Sequence, residues 1–342
     1  MATATLPPPS DVRETWRPFS SWPRDGRPAG WFHRHADETA AAFFRDEGFL
    51  VIEDALTTAE VDELNRESLR IIRGEAGPVE GLIPAEPTDS DEEVLARWLC
   101  IHFPHKISTV MRRYLAHPAM KDVLTRIIGP DVKAMQSMLF IKSSGKPGQA
   151  WHQDELYIPT RDRSLTGGWI ALDDATVENG CLWGIPGSHR VGVLWPQRDH
   201  GDRRFDCAHE SVGFPYTDKD EVPLEVKAGS IIFFNGYFLH RSFPNRAERG
   251  CRRVLVNHYM SAQSLLPWTS DTGGKPVSTF DARDVVLVAG TDPYAYKGTV
   301  DVARPMIRPI GQGGCAGSWK EIVEREGGEI LATRDSARSG TV

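Results

Sequence analysis

Short apolar runs separated by turn residues fill the middle of the chain and limit the folds open to it. They cover residues 132–142, 151–158, 168–173, 181–185, 223–227, 230–235 and 252–261. Asn179-Gly180, Pro186-Gly187 and Ala228-Gly229 punctuate them, and such dipeptides are typical of turns. Many short strands joined by turns predict a β-sandwich or a β-barrel.

Helical patterns come before this β-rich region. Residues 37–47 and 57–74 carry apolar residues at helical spacing, and a glycine ends each stretch. Thr57 and Glu60 have the spacing of a capping box, in which each residue satisfies a backbone N–H of the other. Further helices are predicted at 91–99, 107–114 and 117–127, and a short strand at 49–52. The expected fold is therefore mainly β with flanking helices.

The chain is expected to hold one domain over residues 31–342. That domain would consist of a helical N-terminal part (31–131), a β core (132–261) and a C-terminal extension (262–342) with one helix at 318–325. Residues 1–30 are rich in Pro, Arg and Ser and predict a flexible arm. The charged segment 196–220 interrupts the β core and is a candidate lid. Substrate contacts are expected from this segment, from the loop 75–93 and from residues 262–310.

The composition of the chain limits the classes of partner that it is expected to bind. The net charge is −7 and no basic stripe is evident, which argues against nucleic acid and anionic membranes as partners. The longest apolar run, 230–235, is too short to span a bilayer, and the N-terminus lacks the pattern of a signal peptide. The five cysteines are scattered, without a Cys-x-x-Cys pair, which argues against disulfides and structural zinc. We expect a cytoplasmic monomer or homodimer that acts on a small molecule.

A candidate metal site begins at His152-Gln153-Asp154. Residues two apart on a strand face the same side, so His152 and Asp154 can reach one ion together. His240 follows an apolar run 88 residues later and can supply a third ligand. Two histidines and one carboxylate form the facial triad that holds non-haem Fe(II) and leaves positions open for a 2-oxo acid and O2. A lone His-x-Asp pair is common by chance, so the assignment of a metal site depends on the other residues described below.

Other histidines have simpler interpretations. The pairs His33/His35 and His102/His105 are expected to be structural or exposed, and His189 to lie in a turn. His258 shares strand parity with Arg252, so it is either a pocket residue or a hydrogen-bonded core residue.

Arginines downstream of His240 suggest a co-substrate site. A dicarboxylate such as 2-oxoglutarate needs a bidentate guanidinium at its far end, and lysine replaces it poorly. Ser242, Arg252 and Arg253 follow the second histidine, and the strand that Arg252 opens would lie beside the strand of His240 if the two form a hairpin. Because adjacent residues of a strand face opposite sides, only one of the two arginines can face inward.

Six motifs, in order and spacing, resemble the phytanoyl-CoA dioxygenase family of Fe(II)/2-oxoglutarate oxygenases. The resemblance runs from about Ala36 to Tyr259. It is carried by residues 136–142, 151–155, 169–174, 178–182, 185–189 and 240–242 with Arg252. It implies a double-stranded β-helix (a cupin-like jelly roll) that uses Fe(II), 2-oxoglutarate and O2. It also implies His152, Asp154 and His240 as metal ligands.

The resemblance further implies roles for four other residues. Arg252 and Ser242 would hold the far carboxylate of 2-oxoglutarate, assisted by Gln136 and Trp169, although core packing explains Trp169 almost equally well. The family arginine usually stands eleven residues after the second histidine, where this chain has Cys251. One inserted residue in the preceding turn makes Arg252 the match and Arg253 the reserve.

The expected activity is hydroxylation, or a related oxidation, of a C–H bond in a small specialised metabolite. Aliphatic halogenases of this broad family lack the carboxylate ligand, so the presence of Asp154 favours oxidation over chlorination. No basic cluster is visible for nucleotide phosphates, yet an acyl-CoA hydroxylase stays open as an alternative. Two further alternatives stay open. One is a zinc hydrolase or lyase that uses the same triad, and the other is a non-catalytic jelly-roll binding protein.

Overall fold

The structure is a computed structural model that describes residues 31–206, 209–265, 285–299 and 303–308. The predicted arm at 1–30 and the predicted helix at 318–325 lie outside the described residues. Five α-helices occur in the described part: α1 (Glu38–Glu47), α2 (Thr58–Ile72), α3 (Asp91–Arg97), α4 (Thr109–Leu115) and α5 (Pro118–Ile127).

Fifteen strands accompany these helices in the described ranges. They are β1 (Phe32–His33), β2 (Phe49–Ile52), β3 (Cys100–His102), β4 (Val132–Ser143), β5 (Gln149–His152), β6 (Thr166–Ala171), β7 (Leu182–Gly184), β8 (Gln197–Asp199), β9 (His209–Ser211), β10 (Val222–Leu224), β11 (Ile231–Asn235), β12 (His240–Ser242), β13 (Cys251–Ser261), β14 (Val286–Ala289) and β15 (Met306–Arg308). In the described part of the chain, no helix is long and apolar enough to cross a membrane.

The helix boundaries follow from capping chemistry. The Thr57 hydroxyl accepts a hydrogen bond from the Glu60 N–H, and the Glu60 carboxylate accepts one from the Thr57 N–H. The Asp37 carboxylate caps α1 by accepting from the Ala40 N–H, and Gly48 ends that helix with φ of 80°. The capping box and the five helices in this region are confirmed within a few residues of their predicted bounds.

Two main sheets build the body of the molecule. In the larger one the strand order is β1-β2-β11-β6-β13-β4-β3-β15, with β14 also paired to β4, and in the smaller one it is β10-β7-β12-β5. Apart from the parallel β1–β2 pair, these pairings are antiparallel. This is the predicted jelly roll, and β8 and β9 form a separate hairpin inside the interrupting segment 196–220.

The large sheet separates two hydrophobic cores. Alternate residues of β4 face opposite sides, so Leu139 and Ile141 pack with α2, α4 and α5 in one core. Phe140 packs in the other core with Trp169 of the same sheet and with Leu182 and Leu224 of the small sheet. The second core lies between the sheets, and Phe140, Trp169 and Leu182 of this core also line a cavity.

Two local predictions were wrong. Strand β5 ends at His152 rather than continuing to residue 158, and Asp154 begins a 3-10 turn over Asp154–Leu156. Strands β12 and β13 do not form a hairpin, because β12 pairs with β5 and β7 while β13 pairs with β4 and β6. The intervening residues 243–250 cross from the small sheet to the large one, so Arg252 and Ser242 approach from opposite sheets.

Candidate metal centre

His152, Asp154 and His240 come together at one buried point. His152 and His240 are direct partners across the antiparallel β5–β12 pair. The Nε2 atom of each histidine lies 3.6 Å from Oδ1 of Asp154. One ligand atom from each of the three residues lies within 4.8 Å of the others, and all three side chains are buried. The structure therefore brings together the predicted ligand set.

Backbone contacts fix which nitrogen of each ring faces the centre. Nδ1 of His152 lies 2.7 Å from the Ala150 carbonyl oxygen, and Nδ1 of His240 lies 2.9 Å from that of Phe238. A carbonyl can only accept, so each Nδ1 carries the proton and each Nε2 offers its lone pair to a metal. Burial, together with the adjacent His240, lowers the pKa of His152 to about 3, which keeps this ring neutral at neutral pH.

Asp154 reaches the centre from a turn rather than from a strand. The intervening Gln153 side chain donates to the carbonyls of Tyr237 and Val193 and accepts from the Trp195 N–H, at 2.8–3.0 Å. These bonds tie the turn to the chain before β12 and to the cavity wall. The position of Asp154 therefore depends on buried amide contacts, which strand parity did not predict.

His258 holds the second oxygen of the Asp154 carboxylate. Its Nε2 lies 2.9 Å from Oδ2, on the opposite side of the carboxylate from the two ligand histidines. Burial alone would raise the pKa of Asp154, but His240, His258 and His152 outweigh it and hold the pKa below its usual range. Asp154 is thus an anion with one oxygen toward the centre. Parity had placed His258 on the correct strand face without identifying this contact.

We expect His258→Phe to weaken binding of a divalent ion such as Co(II) by about 10- to 100-fold, the usual effect of losing a residue that orients a metal ligand. His258→Gln, which keeps an N–H donor, should recover part of that loss. Calorimetric titration of the metal-free protein measures both. Equal Co(II) affinity in the wild type and in His258→Phe would contradict this orienting role.

The donor set fits a divalent transition metal. Two neutral imidazole nitrogens and one carboxylate oxygen are the facial triad of non-haem Fe(II), and Zn(II) accepts the same ligand types. Both histidines have the hydrogen-bonded Nδ1 that ligand histidines almost always show.

The triad lies in the wall of a cavity of about 620 Å³, within the range of small-molecule sites. The four predicted co-substrate residues, Gln136, Trp169, Ser242 and Arg252, line the same cavity. The same cavity is also lined by apolar and aromatic side chains and by four further polar residues. These are Met138, Phe140, Leu156, Tyr157, Ile158, Leu182, Leu194, Trp195, Pro196, Phe234 and Val256, with His102, Gln149, Gln197 and Arg308.

Arg252, rather than Arg253, faces the cavity. The Arg252 side chain is almost fully buried, its guanidinium carbon lies 5.3 Å from the centre of the Trp169 ring, and its Nε has no hydrogen-bond partner among the described residues. Burial lowers its pKa to about 10, so it stays charged at neutral pH. Arg253 points the other way and pairs with Asp173 at 2.7 Å. Arg252 is therefore a buried cation positioned to receive an anion.

Ser242 and Lys142 extend the group of polar side chains around Arg252. The Ser242 hydroxyl accepts hydrogen bonds from Nζ of Lys142 at 2.9 Å and from the Gln149 N–H at 3.2 Å. Since a hydroxyl has two lone pairs and one proton, its proton is left to donate to a ligand. Burial, and then the charge of Arg252, hold the pKa of Lys142 well below its usual value. Lys142 was missed as a functional residue, although it has the strand parity of Gln136.

Comparisons with known proteins agree with this arrangement. A model of the family described as phytanoyl-CoA dioxygenase (PhyH) matches residues 44–254, more than half of the chain. A phytanoyl-CoA dioxygenase of Arabidopsis thaliana is 41% identical over 143 residues, which cover 40% of this chain and 47% of that protein. The chain thus spans about half the length of this relative.

Solved structures with the same fold include the apo form of ThoJ, a non-haem monooxygenase. It has 24% identity and a TM-score of 0.57, over 78% of this chain and 88% of that one. EctD from S. alaskensis, solved with 2-oxoglutarate and 5-hydroxyectoine, has 23% identity and a TM-score of 0.51, over 68% and 78%. These likenesses establish the double-stranded β-helix. With the match over residues 44–254, they lead to one conclusion: the chain belongs to the phytanoyl-CoA dioxygenase family.

Proposed function

We propose that the protein is an Fe(II)/2-oxoglutarate-dependent oxygenase that hydroxylates, or otherwise oxidises, a C–H bond of a small organic molecule. The observation that carries the proposal is one cavity lined by both the buried His152/Asp154/His240 triad and Arg252. Family membership and the 2-oxoglutarate bound in EctD support it. Asp154 favours hydroxylation over halogenation, since it occupies the position that would otherwise accept a halide.

His152, Asp154 and His240 would hold the Fe(II), which when bound supplies the activation of O2 that is coupled to decarboxylation of 2-oxoglutarate. The protein contributes orientation. The carbonyls of Ala150 and Phe238 keep both imidazoles in the ligand tautomer, and His258 keeps one oxygen of Asp154 directed inward. Three protein ligands would leave room on the metal for the co-substrates.

Arg252 and Ser242 would bind the far carboxylate of 2-oxoglutarate. The guanidinium can donate two parallel hydrogen bonds, and the Ser242 hydroxyl can donate a third. The Trp169 ring lies within cation–π distance of the guanidinium and can help to hold it in place. Gln136 has a buried amide oxygen without a partner among the described residues, so its side chain is available to a ligand.

Lys142 supports this subsite from behind Ser242. We expect Lys142→Met to raise the dissociation constant of 2-oxoglutarate about tenfold, because Lys142 donates a buried hydrogen bond to the Ser242 hydroxyl and leaving that partner unsatisfied costs about 1–3 kcal/mol. Lys146→Met is a matched control in the same chain segment, and it should change the constant less than about twofold. Anaerobic titration of the Fe(II) protein measures both. Equal constants in the two variants would contradict a role for Lys142.

Purified protein with Fe(II), O2, 2-oxoglutarate and ascorbate, which takes the place of the substrate in reducing the second oxygen atom, should form succinate and CO2 in equal amounts, and Zn(II) should not replace Fe(II). A zinc hydrolase or lyase would show the opposite metal preference and no dependence on 2-oxoglutarate. A non-catalytic binding protein would bind 2-oxoglutarate without forming succinate. Arg252 in the cavity favours the oxygenase over a zinc hydrolase or lyase, because that enzyme does not need a dicarboxylate.

The substrate is proposed to be a small specialised metabolite, with an acyl-CoA thioester as the second candidate. Most of the cavity lining is apolar or aromatic, which suits a compact organic scaffold. Incubating the enzyme with metabolite extracts and searching for one added oxygen by mass spectrometry identifies it. Oxygen addition to acyl-CoA esters alone would favour the second candidate.

We also propose that residues 31–342 form one domain of a cytoplasmic protein, as a monomer or homodimer. The strands of the large sheet come from all three predicted parts of the chain, from β2 and β3 to β15, which supports a single folding unit. Cys181 and Cys251, two of the described cysteines, are free thiols, as in a reducing compartment. Light scattering gives the mass in solution, and a cooperative single transition on unfolding tests the one-domain proposal.

A further inference from the structure

A buried ion pair joins Arg308, which lines the cavity, to Asp206, and both residues lie outside the family motifs. Nε of Arg308, on β15, lies 2.8 Å from Oδ2 of Asp206, and the two side chains are 1% and 0% exposed. Arg308 lies beyond the residues matched by the family model, which end at 254. Asp206 belongs to the segment 196–220 that interrupts the jelly roll.

The pair spans the gap between the open edges of the two sheets. Strand β15 is the outermost strand of the large sheet beside β3, with Arg308 opposite Cys100. Residues 204–206 run along Gly148, directly before β5 at the edge of the small sheet. Gly148 exchanges backbone hydrogen bonds of 2.8 Å with Arg204 and Asp206. The ion pair therefore closes the side of the cavity next to the His152 strand.

Arg308 is the second cation in the cavity. Among the described lining residues, the only acid is Asp154, and the only cations apart from histidine are Arg252 and Arg308. Asp154 belongs to the metal centre and Arg252 to the proposed co-substrate subsite. Arg308 is left without a role in the proposed chemistry, although it forms part of the same wall.

An ion pair is not required merely to join the two sheet edges. Buried ion pairs are often no more stabilising than apolar contacts of the same volume, because both charges lose their hydration. Because the arginine of this ion pair lines a ligand cavity, recognition of a ligand explains its charge better. A guanidinium is suited to this, since its planar fork of N–H donors can serve more than one carboxylate.

We infer that Arg308 binds an anionic oxygen group, a carboxylate or a phosphate ester, on the primary substrate. The inference rests on the proposed function and names the substrate class of that site. Asp206 holds the guanidinium in place and, as a competing carboxylate, lowers its affinity for the anion. The body of the substrate would lie against the apolar wall formed by Leu156, Ile158, Leu194 and Pro196, with its oxidised carbon toward the triad.

The test uses the Fe(II) protein with 2-oxoglutarate under anaerobic conditions and three probes of one chain length: hexanoate, hexyl phosphate and the neutral hexanamide. Calorimetry should show the wild type binding one of the two anions at least about tenfold more tightly than hexanamide. A preference for hexanoate or for hexyl phosphate distinguishes a carboxylate substrate from a phosphate ester. The Arg308→Gln/Asp206→Asn double variant removes both charges, leaves neither partner buried alone, and should lose the preference.

The variant Asp206→Asn distinguishes anion binding by Arg308 from an ion pair that only joins the sheet edges. If Arg308 binds an anion, removing the competing carboxylate should tighten binding of the preferred anion by at least about threefold. If the pair only joins the sheet edges, the affinity should stay the same or fall as the wall loosens, and either result would overturn the inference. No anion preference in the wild type would overturn it as well.

Arg253→Gln is the control, because Arg253 is paired with Asp173 on the other face of β13 and should keep the wild-type preference. Failure of the two proposals is distinguishable. A wild type that does not bind 2-oxoglutarate contradicts the proposed function. A wild type that binds 2-oxoglutarate without preferring either anionic probe contradicts only the assignment of Arg308.

Discussion

Asp154→Ala is expected to abolish 2-oxoglutarate turnover, with a loss greater than about 100-fold. The carboxylate is the only anionic ligand of the triad, and its removal also leaves the buried His258 imidazole without its partner. Loss of a residue that merely orients a metal ligand costs about 10- to 100-fold, so loss of the ligand itself should cost more. Succinate formation and bound iron should fall together.

The matched control is Asp162→Ala, since Asp162 is an exposed acid eight residues further along the chain. It should keep the iron content and turnover of the wild type within about twofold. Full succinate formation by Asp154→Ala would remove Asp154 from the ligand set and, with it, the facial triad.

The second large effect concerns 2-oxoglutarate affinity. Arg252→Met should raise its dissociation constant by about 30- to several-thousand-fold, the range that corresponds to about 2–5 kcal/mol for truncating one partner of a buried charge pair. Iron binding should persist, because Arg252 belongs to the anion corner with Ser242 and Trp169 rather than to the triad.

Arg253→Met provides a control of the same residue type and the same chemical change, one position away. Arg253 pairs with Asp173, away from the cavity, so its loss should change the 2-oxoglutarate constant less than about threefold. If Arg253→Met weakened 2-oxoglutarate binding as much as Arg252→Met, the strand parity argument for Arg252 would be wrong.

Local patterns were enough to predict the helices, most strands and the clustering of the triad. A capping box depends on residues three apart, and strand parity depends on residues two apart, so both can be read from the sequence. The choice between Arg252 and Arg253 is of this kind. Parity required one of them to face outward, and the structure shows that it is Arg253.

Contacts between distant segments were not predictable in this way. Whether residues 243–250 form a hairpin or cross between sheets depends on which edge of each sheet has a partner, and that is a property of the whole fold. The same limit applies to His258 beside Asp154 and to the Arg308–Asp206 pair, which joins residues about a hundred positions apart. Lys142 was the exception, because its parity with Gln136 was visible and only its function was missed.

The most direct test of a single Fe(II)/2-oxoglutarate site is an anaerobic titration of the iron-loaded protein, followed by visible absorption. Chelation of Fe(II) by a 2-oxo acid should produce a charge-transfer band that saturates at one 2-oxoglutarate per protein. The band should be absent in Asp154→Ala and should require a much higher 2-oxoglutarate concentration in Arg252→Met. A wild-type protein that binds iron at the triad yet shows no band at saturating 2-oxoglutarate would contradict the assignment.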